Sequence, residues 1–456
     1  MDWKGRRVVM VGAGRQGIAT AGYLAAHGAR VAITDARPAE QLAAARQRLS
    51  AFDLEWSLGG HPSSLLDLAE LLVLSGGVPG ELPLVQAALA RGIPVSNDSQ
   101  LFLELAPCKV IGITGSAGKT TTTMLVGRIL KAMEGKQINR AWVGGNLGNP
   151  LLSDVDAMSA TDLAVMELSS FQLEWMTRSP HIAAILNLAP NHLDRHASME
   201  NYIAAKARIL EYQTTDSTAI LNIDDAATWM LASRARGRLW AFSGQVLPAD
   251  TLGAYVRGDA VWLRDEHGEH QVLPCAEIEL IGQHNLLNVV AACAVAAAAA
   301  APLEAIQSGV RAFRGAPHRL ERVRTVNGVD WYNDSIATAP QRSEAALRSF
   351  DQPIVLLLGG RDKGLPWEDL AKLARDRVRQ VVFFGEAGGM LSAVFNRLAP
   401  ELPNALVPDL ESAVQSAATA AQPGDLVLLA PGGTSFDEFV DFEARGERFR
   451  QLVNQL

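Results

Sequence analysis

Gly112-Ile113-Thr114-Gly115-Ser116-Ala117-Gly118-Lys119-Thr120-Thr121 decides how this chain is read. A strand-like run, Lys109-Val110-Ile111-Gly112-Ile113, leads into it, and a helix-like run over residues 121–130 leaves it. Small residues let consecutive backbone N–H groups close around a phosphate, and the start of a helix adds positive potential at the same point. Lys119 can reach the outer phosphates of a nucleotide, and the Thr120 hydroxyl suits Mg²⁺. The spacing departs from the common G-x-x-x-x-G-K-[ST], because Ile113 stands where the first glycine belongs. It reads T-G-x-x-G-K-T-T instead. With a strand before and a helix after, it predicts nucleotide binding through Gly115, Ser116, Ala117, Gly118, Lys119, Thr120 and Thr121.

Outward from this loop, strand and helix signals alternate. Before it, strands are expected at Arg7–Val11 and over residues 29–34, 69–74 and 93–95, with helices over 17–27 and 38–49. After it come strands at Leu163–Glu167, 182–187 and Thr218–Asn222. Residues 237–275 read as short strands and turns, and an alanine-rich helix follows over 289–301. Further strands are expected over 329–332, 354–358, 381–384 and 426–429. Such alternation implies parallel sheets covered by helices. The expected architecture is α/β, with three domains in series. A Rossmann-like N-terminal domain (1–100) precedes a P-loop-type central ATPase domain (101–314) and a Rossmann-like C-terminal domain (315–456). Candidate linkers are residues 94–107 and the turn Arg314-Gly315-Ala316-Pro317.

Composition bounds the function. The 456 residues exceed one ordinary core, and 48% hydrophobic with 20% charged residues describes a globular protein of enzyme size. A net charge of −8 argues against a nucleic-acid partner. Three cysteines, Cys108, Cys275 and Cys293, without metal-like spacing, suit a reducing cytoplasm. The alanine-rich stretch is too short and too weakly apolar to span a bilayer, so a buried, closely packed helix is expected and no membrane association.

Gly12-Ala13-Gly14-Arg15-Gln16-Gly17 is a complete G-x-G-x-x-G between strand and helix, and Asp35 closes the next strand where a ribose-binding acid belongs. The pattern builds a phosphate site at a helix start. A nicotinamide dinucleotide or another nucleotide diphosphate could use it, and Arg15 and Arg37 add charge nearby. In the middle of the chain, Glu167 ends an apolar strand beside the phosphate loop, a natural position for a Mg²⁺ ligand. His192-Leu193-Asp194-Arg195-His196 reads as a zinc site, as a surface loop, or as a loop from which His192 alone reaches a second Mg²⁺. Lys206 lies on a helical stretch of small residues, where solvent exposure is the default.

The motifs in their order carry a resemblance. They include Thr114-Gly115-Ser116-Ala117-Gly118-Lys119-Thr120, Gly144-Gly145-Asn146-Leu147-Gly148, Glu167-Leu168-Ser169-Ser170-Phe171-Gln172-Leu173-Glu174, Asn191-His192-Leu193-Asp194 and Gly282-Gln283-His284-Asn285. The last third adds Pro317-His318-Arg319, Asn333-Asp334-Ser335 and Ser435-Phe436-Asp437-Glu438-Phe439. Over essentially its whole length the chain resembles the Mur ligase family of ATP-dependent amide-bond-forming enzymes, and its short N-terminal domain is similar to that of the D-glutamate-adding branch.

The resemblance implies UDP-N-acetylmuramoyl-L-alanine and D-glutamate as substrates, ATP and two Mg²⁺ ions as cofactors, a monomer, and a place in cytoplasmic peptidoglycan precursor synthesis. It implies that the N-terminal glycines hold uridine diphosphate and not NAD, with Gly14, Arg15, Gln16, Asp35, Arg37, Gly76, Asn146, Ser169 and Gln172 facing that substrate. Thr120 and Glu167 match ligands of the first ion, and His192 matches a ligand of the second. Lys206 matches the lysine that CO₂ converts into a carbamate, turning a cation into an anionic oxygen ligand. Lys119, Glu167, His192 and Lys206 then form the catalytic set. Asn285, Asn288, Arg319, Asp334 and Thr338 match contacts to ATP. Lys363, Ser435, Phe436 and Phe442 match the grip on glutamate. Two departures stand out: Asn191-His192 replaces a frequent Asp-His, and Asp334-Ser335-Ile336 replaces a frequent Asp-Ser-Lys, which removes a cation near the phosphates. An L-glutamate-adding variant exists in the family. Folylpolyglutamate synthase-like ligases lack such an N-terminal domain, and a dehydrogenase with an accessory ATPase leaves Glu167, His192 and Lys206 unexplained. A non-catalytic binding subunit on the same fold is a further rival, against which the intact Lys119, Glu167, His192 and Lys206 stand.

Overall fold

Leu71-Leu72-Val73-Leu74 and Ile354–Gly359 are buried at every position, as strands covered by helices on both faces must be. The computed structural model describes residues 2–148 and 150–456, with every side chain among them except that of Asp194, and arranges such runs into three sheets. The first contains β1 (Arg7–Val11), β2 (Arg30–Asp35), β3 (Glu55–Leu58), β4 (Leu71–Leu74) and β5 (Val95–Asn97), ordered 3-2-1-4-5 and wholly parallel. Strand order reverses between β1 and β4, which opens a crevice at their carboxyl ends. The expected helix over 38–49 is broken into a 3₁₀ turn, Ala39–Leu42, and a short helix, Ala43–Arg48.

The second sheet contains β6 (Lys109–Thr114), β7 (Ala141–Gly145), β8 (Leu163–Glu167), β9 (Ile182–Ile185), β10 (Thr218–Asn222), β11 (Arg238–Ser243), β12 (Gly253–Arg257), β13 (Ala260–Asp265) and β14 (Gly268–Pro274). Its order is 14-13-12-11-10-9-6-8-7, parallel from β7 to β12 and antiparallel beyond. The alanine-rich helix runs over Gln283–Ala298, and every residue from Asn288 to Ala296 is buried, as expected. Among the described residues no helix is long and apolar enough to cross a membrane.

The third sheet contains β15 (Glu321–Val326), β16 (Val329–Asn333), β17 (Ile354–Gly359), β18 (Val378–Phe384), β19 (Asn404–Leu406) and β20 (Leu426–Gly432). Its order is 15-16-20-17-18-19, with β15 antiparallel to β16 and the rest parallel.

The chain divides into two compact units. One runs to Glu279 and resumes over Gln283–Phe313, and the other comprises Leu280–Gly282 with Arg314–Leu456. The first two sheets therefore share a unit. A division after residue 100 cuts the helix Asp98–Leu105, which Asn97 caps by accepting from Gln100 N at 2.8 Å. One apolar core is continuous from Val8 and Ile33 on the first sheet to Val110, Met166 and Ile185 on the second. A polar seam completes it. Asn97 Nδ2 donates to Gln172 O at 2.7 Å, and Gln172 Nε2 donates to Ser99 Oγ at 2.8 Å. Gln172 also closes a capping box with Ser169 at the start of the short helix Ser170–Leu173.

The end of β2 is tied to the glycine turn after β1. Asp35 Oδ2 accepts from Ala13 N at 2.8 Å and Arg37 NH2 at 2.7 Å, while Oδ1 accepts from Arg37 N and Nε, both at 2.9 Å. Burial alone would raise the Asp35 carboxyl, but the Arg37 guanidinium and the two amides outweigh it and hold the group down at about 2.

Two outcomes are expected. Gln172→Ala strands Ser99 Oγ at the seam and opens the capping box with Ser169, and should cost about 1–3 kcal/mol, read as a fall of a few degrees in the thermal midpoint of the first unit. Asp35→Asn should destabilise the protein at neutral pH. An unfolded Asp titrates near 3.9, so the Asp35 contribution is complete above that pH and lost as pH falls toward 2. The gap in urea midpoint between wild type and variant should therefore be full at pH 6 and close progressively below about pH 4.

Candidate functional site

The phosphate loop leaves β6 and enters the helix Lys119–Lys131, so its backbone sits at the carboxyl ends of the parallel strands. Gly118 takes φ +82°, and a Cβ there would meet Asn288 Oδ1 at 2.1 Å, so only glycine fits. Asn187, just past β9, braces the loop: Ser116 N donates to Asn187 O at 2.9 Å, and Ala117 N donates to Asn187 Oδ1 at 2.8 Å. Lys119 Nζ folds back onto Gly115 O at 2.8 Å and Ser116 O at 3.3 Å.

Glu167, at the end of β8, is 3% exposed. Its Oε2 accepts from Thr120 Oγ1 at 2.9 Å and its Oε1 from Asn146 Nδ2 at 3.0 Å. A buried carboxylate bonded by neutral donors beside a phosphate loop fits a divalent cation. Thus Thr120, Asn146 and Glu167, far apart in sequence, meet in one place.

Lys206 overturns its default reading. A lysine among small helical residues reads as solvent-exposed, yet this one is 1% exposed on the helix Met199–Glu211. Its Nζ donates to Thr114 Oγ1 at 3.2 Å and Gly115 O at 3.0 Å, and lies 4.9 Å from the centre of the Tyr202 ring. Burial first, and then the charge of Lys119, pushes its ammonium well below the ordinary lysine value, while Glu167 opposes the shift. Tyr202, one helical turn earlier, bonds Ser116 Oγ at 2.9 Å. Its spacing of four from Lys206 was the only sequence signal for that role.

His192 is exposed, with φ +54°, and its ring meets Phe171 edge-on at 5.1 Å. His196 is buried instead, with Nδ1 2.9 Å from Glu174 Oε1 and Nε2 2.9 Å from Ser170 Oγ. Its ring nitrogens are thus engaged by protein groups, against the zinc reading of His-x-Asp-x-His. The side chain of Asp194 lies outside the described residues, and among those described no three His, Cys, Asp or Glu side chains form a metal-holding group.

At the crevice of the first sheet, Gly17 could not be another residue, because a Cβ would sit 1.9 Å from Gly12 O. Gly14 caps the helix Arg15–Ala26, and Gln16 Oε1 accepts from Gly76 N, just past β4, at 3.1 Å. Arg15 and Arg37 are exposed there. Asp35 spends both oxygens on Arg37 and the loop, which disfavours the ribose contact of a nicotinamide site. Ser169 and Gln172 face the seam, where Gln172 is fully buried.

The second unit carries its own group. Asp334 is buried, accepts from Leu320 N at 3.1 Å, and is pushed up to about 6 by burial against that amide and the charges of Arg319 and Arg342. Lys363 Nζ reaches Thr338 Oγ1 at 3.5 Å, and burial together with Arg342 lowers its ammonium. Ser435 is buried, Phe436 is exposed, and Phe442 opens the helix Phe442–Gln455. Ile336 is half-buried. Sequence reasoning missed Arg445, which is 1% exposed and donates to Ser335 Oγ at 3.0 Å and Gly433 O at 3.2 Å. Nothing in its exposed-looking helical context signalled this. Asn285 stays beside the phosphate loop of the first unit, accepting from Asn288 Nδ2 at 3.1 Å.

Comparison with known proteins agrees with this layout. Residues 6–97 match the Mur ligase MurD-like N-terminal domain, 113–296 the Mur ligase middle domain, and 318–433 the Mur ligase glutamate ligase domain. A UDP-N-acetylmuramoylalanine–D-glutamate ligase of Symbiobacterium thermophilum is 42% identical over 99% of this chain and 98% of its own length. One of Koribacter versatilis is 41% identical over 100% and 99%. Among solved structures, the UDP-N-acetylmuramate-alanine ligase MurC of Thermotoga maritima shares the fold, with a TM-score of 0.59 at 18% identity over 99% of both chains. A phosphate loop with its acidic and lysine partners, three α/β sheets in series and full-length likeness at this level show that the chain belongs to the Mur ligase family.

Proposed function

We propose that this Mur ligase joins UDP-N-acetylmuramoyl-L-alanine to D-glutamate at the expense of ATP, in the cytoplasmic assembly of peptidoglycan precursors. The observation that carries the reading is the convergence of Lys119, Thr120, Glu167 and Lys206 on one phosphate loop. The names of the full-length relatives support the substrate pair.

A carboxylate resists attack by an amine because an oxide is a poor leaving group. In the proposed reaction the terminal phosphoryl group of ATP moves to the L-alanyl carboxylate. The P–O bond to ADP breaks and a carboxyl O–P bond forms, giving an acyl phosphate. The amine of glutamate then attacks the acyl carbon, loses a proton and expels inorganic phosphate. Lys119 holds and neutralises the transferring group, and the loop amides orient it. Thr120 and Glu167 would hold one Mg²⁺, and His192 with a carbamate on Lys206 is the pair proposed for a second; when bound, the ions would screen phosphate charge.

Carbamate formation needs a neutral amine, which attacks CO₂ and releases a proton. Burial and the nearby Lys119 favour that neutral form of Lys206. The glycine crevice of the first sheet suits the uridine diphosphate, with Arg15 and Arg37 supplying charge. Lys363, Ser435, Phe436 and Phe442 on the second unit are the proposed grip on glutamate, and Asn285, Asn288, Arg319, Asp334 and Thr338 the further ATP contacts.

Phosphate release with ATP, Mg²⁺, bicarbonate and UDP-N-acetylmuramoyl-L-alanine should require D-glutamate. Turnover with L-glutamate alone would reassign the amino acid, and silence with both would refute the substrate pair. Lys119→Ala should lower kcat by at least about 100-fold while uridine-substrate affinity, measured calorimetrically, stays within twofold. Lys206→Ala should lose most activity and regain part of it when a small carboxylic acid is added; full activity without the additive excludes the carbamate role.

A further inference from the structure

His196 is a buried side chain to which the mechanism above gives no role. It ends the four-residue helix Leu193–His196 and is 5% exposed. Its Nδ1 lies 2.9 Å from Glu174 Oε1 and its Nε2 2.9 Å from Ser170 Oγ, so both ring nitrogens are engaged. Its face stacks on Phe171 at 5.3 Å with the planes 4° apart, and its edge meets Tyr202 at 5.3 Å. Its backbone N donates to His192 O at 3.0 Å, and its carbonyl accepts from Asn201 Nδ2 at 3.0 Å.

Two paths leave this one ring. Through Phe171 it reaches the His192 ring, 5.1 Å from that of Phe171. Through Tyr202 it reaches Ser116 of the phosphate loop, at 2.9 Å, and the amine of Lys206. The turn it closes is bracketed by two left-handed non-glycine residues, His192 at φ +54° and Ala197 at φ +63°. Each costs on the order of 1–3 kcal/mol and persists only where the surroundings over-determine it. The bonds and stacking at His196 supply that over-determination.

We propose that His196 is a positioning residue for the ligase reaction. It locks the left-handed turn that presents His192 and, through Tyr202, the phosphate loop that presents ATP. The inference rests on the reading of the site as a ligase centre, but its test has an arm that does not.

The experiment compares wild type, His196→Ala and His196→Gln as full-length proteins, by steady-state kinetics and by amide hydrogen exchange without substrates. A misplacement of about 1 Å costs about 100-fold in rate, so His196→Ala should lower kcat by 30–100-fold on that scale while KM for the uridine substrate moves less than twofold. Exchange should quicken in residues 191–197 and 115–118 and stay unchanged in β1 and β4. His196→Gln, which keeps a donor and an acceptor, should recover at least a tenth of the wild-type kcat. Unchanged kcat, unchanged exchange in the two segments, or a uniform rise in exchange across the unit each overturns the proposal. Should His196→Ala fail to fold, Phe171→Leu cuts the path to His192 and leaves the His196 hydrogen bonds; it must lower kcat at least tenfold, and wild-type kcat there overturns the proposal. A wild-type protein silent with both glutamates refutes the ligase reading, while the exchange arm still judges His196.

Discussion

A lysine amine shut away from water against the phosphate loop is the constraint around which the central sheet is arranged. Lys206 donates to Thr114 Oγ1 and Gly115 O, both uncharged, and sits within the field of Lys119. Burial and then Lys119 disfavour an ammonium ion there, with Glu167 opposing them. Everything that touches Lys206 also shapes the loop. Thr114 anchors the end of β6 by donating to Leu168 O at 2.8 Å, and Gly115 O also receives Lys119. Two lysines thus share one carbonyl.

Parallel strands explain why so few residues suffice. β6, β8 and β9 deliver their carboxyl ends to one edge of the sheet, where the loop, Glu167 and Asn187 emerge side by side. The same geometry recurs in the first sheet, where β1 and β4 deliver the glycine turn and Gly76. Each site is a property of strand order more than of any local motif.

Much of this was legible in the chain. β1, β8 and β10 fall where their apolar runs placed them, because strands buried on both faces write an unbroken signal. The strands that escaped notice, β3, β7, β15 and β19, all lie at the edge of a sheet. Glu55–Leu58 and Glu321–Val326 contain no fully buried residue, so their pattern dissolves into the polar background, whereas Ala141–Gly145 is buried at four of its five positions and is not explained this way. In the site, Lys119, Thr120 and Glu167 were readable because a contiguous motif or a strand end exposes them. The burial of Lys206, the brace at Asn187 and the guanidinium of Arg445 were not, since each depends on which distant segment folds over it. The seam bond of the Gln172 amide was equally hidden, since its partner Ser99 lies 73 residues away.

That seam bears on how the molecule could be taken apart. The first sheet has no complete surface of its own, because its apolar core runs on into the second sheet and Asn97 and Ser99 find their partner in Gln172. A fragment ending near residue 100 would bare both an apolar face and orphaned amides, the combination that drives aggregation. Modular exchange between members of this family, by recombination in nature or by grafting in the laboratory, would tolerate a cut near residue 100 poorly. The first and second sheets are thereby bound to be exchanged together.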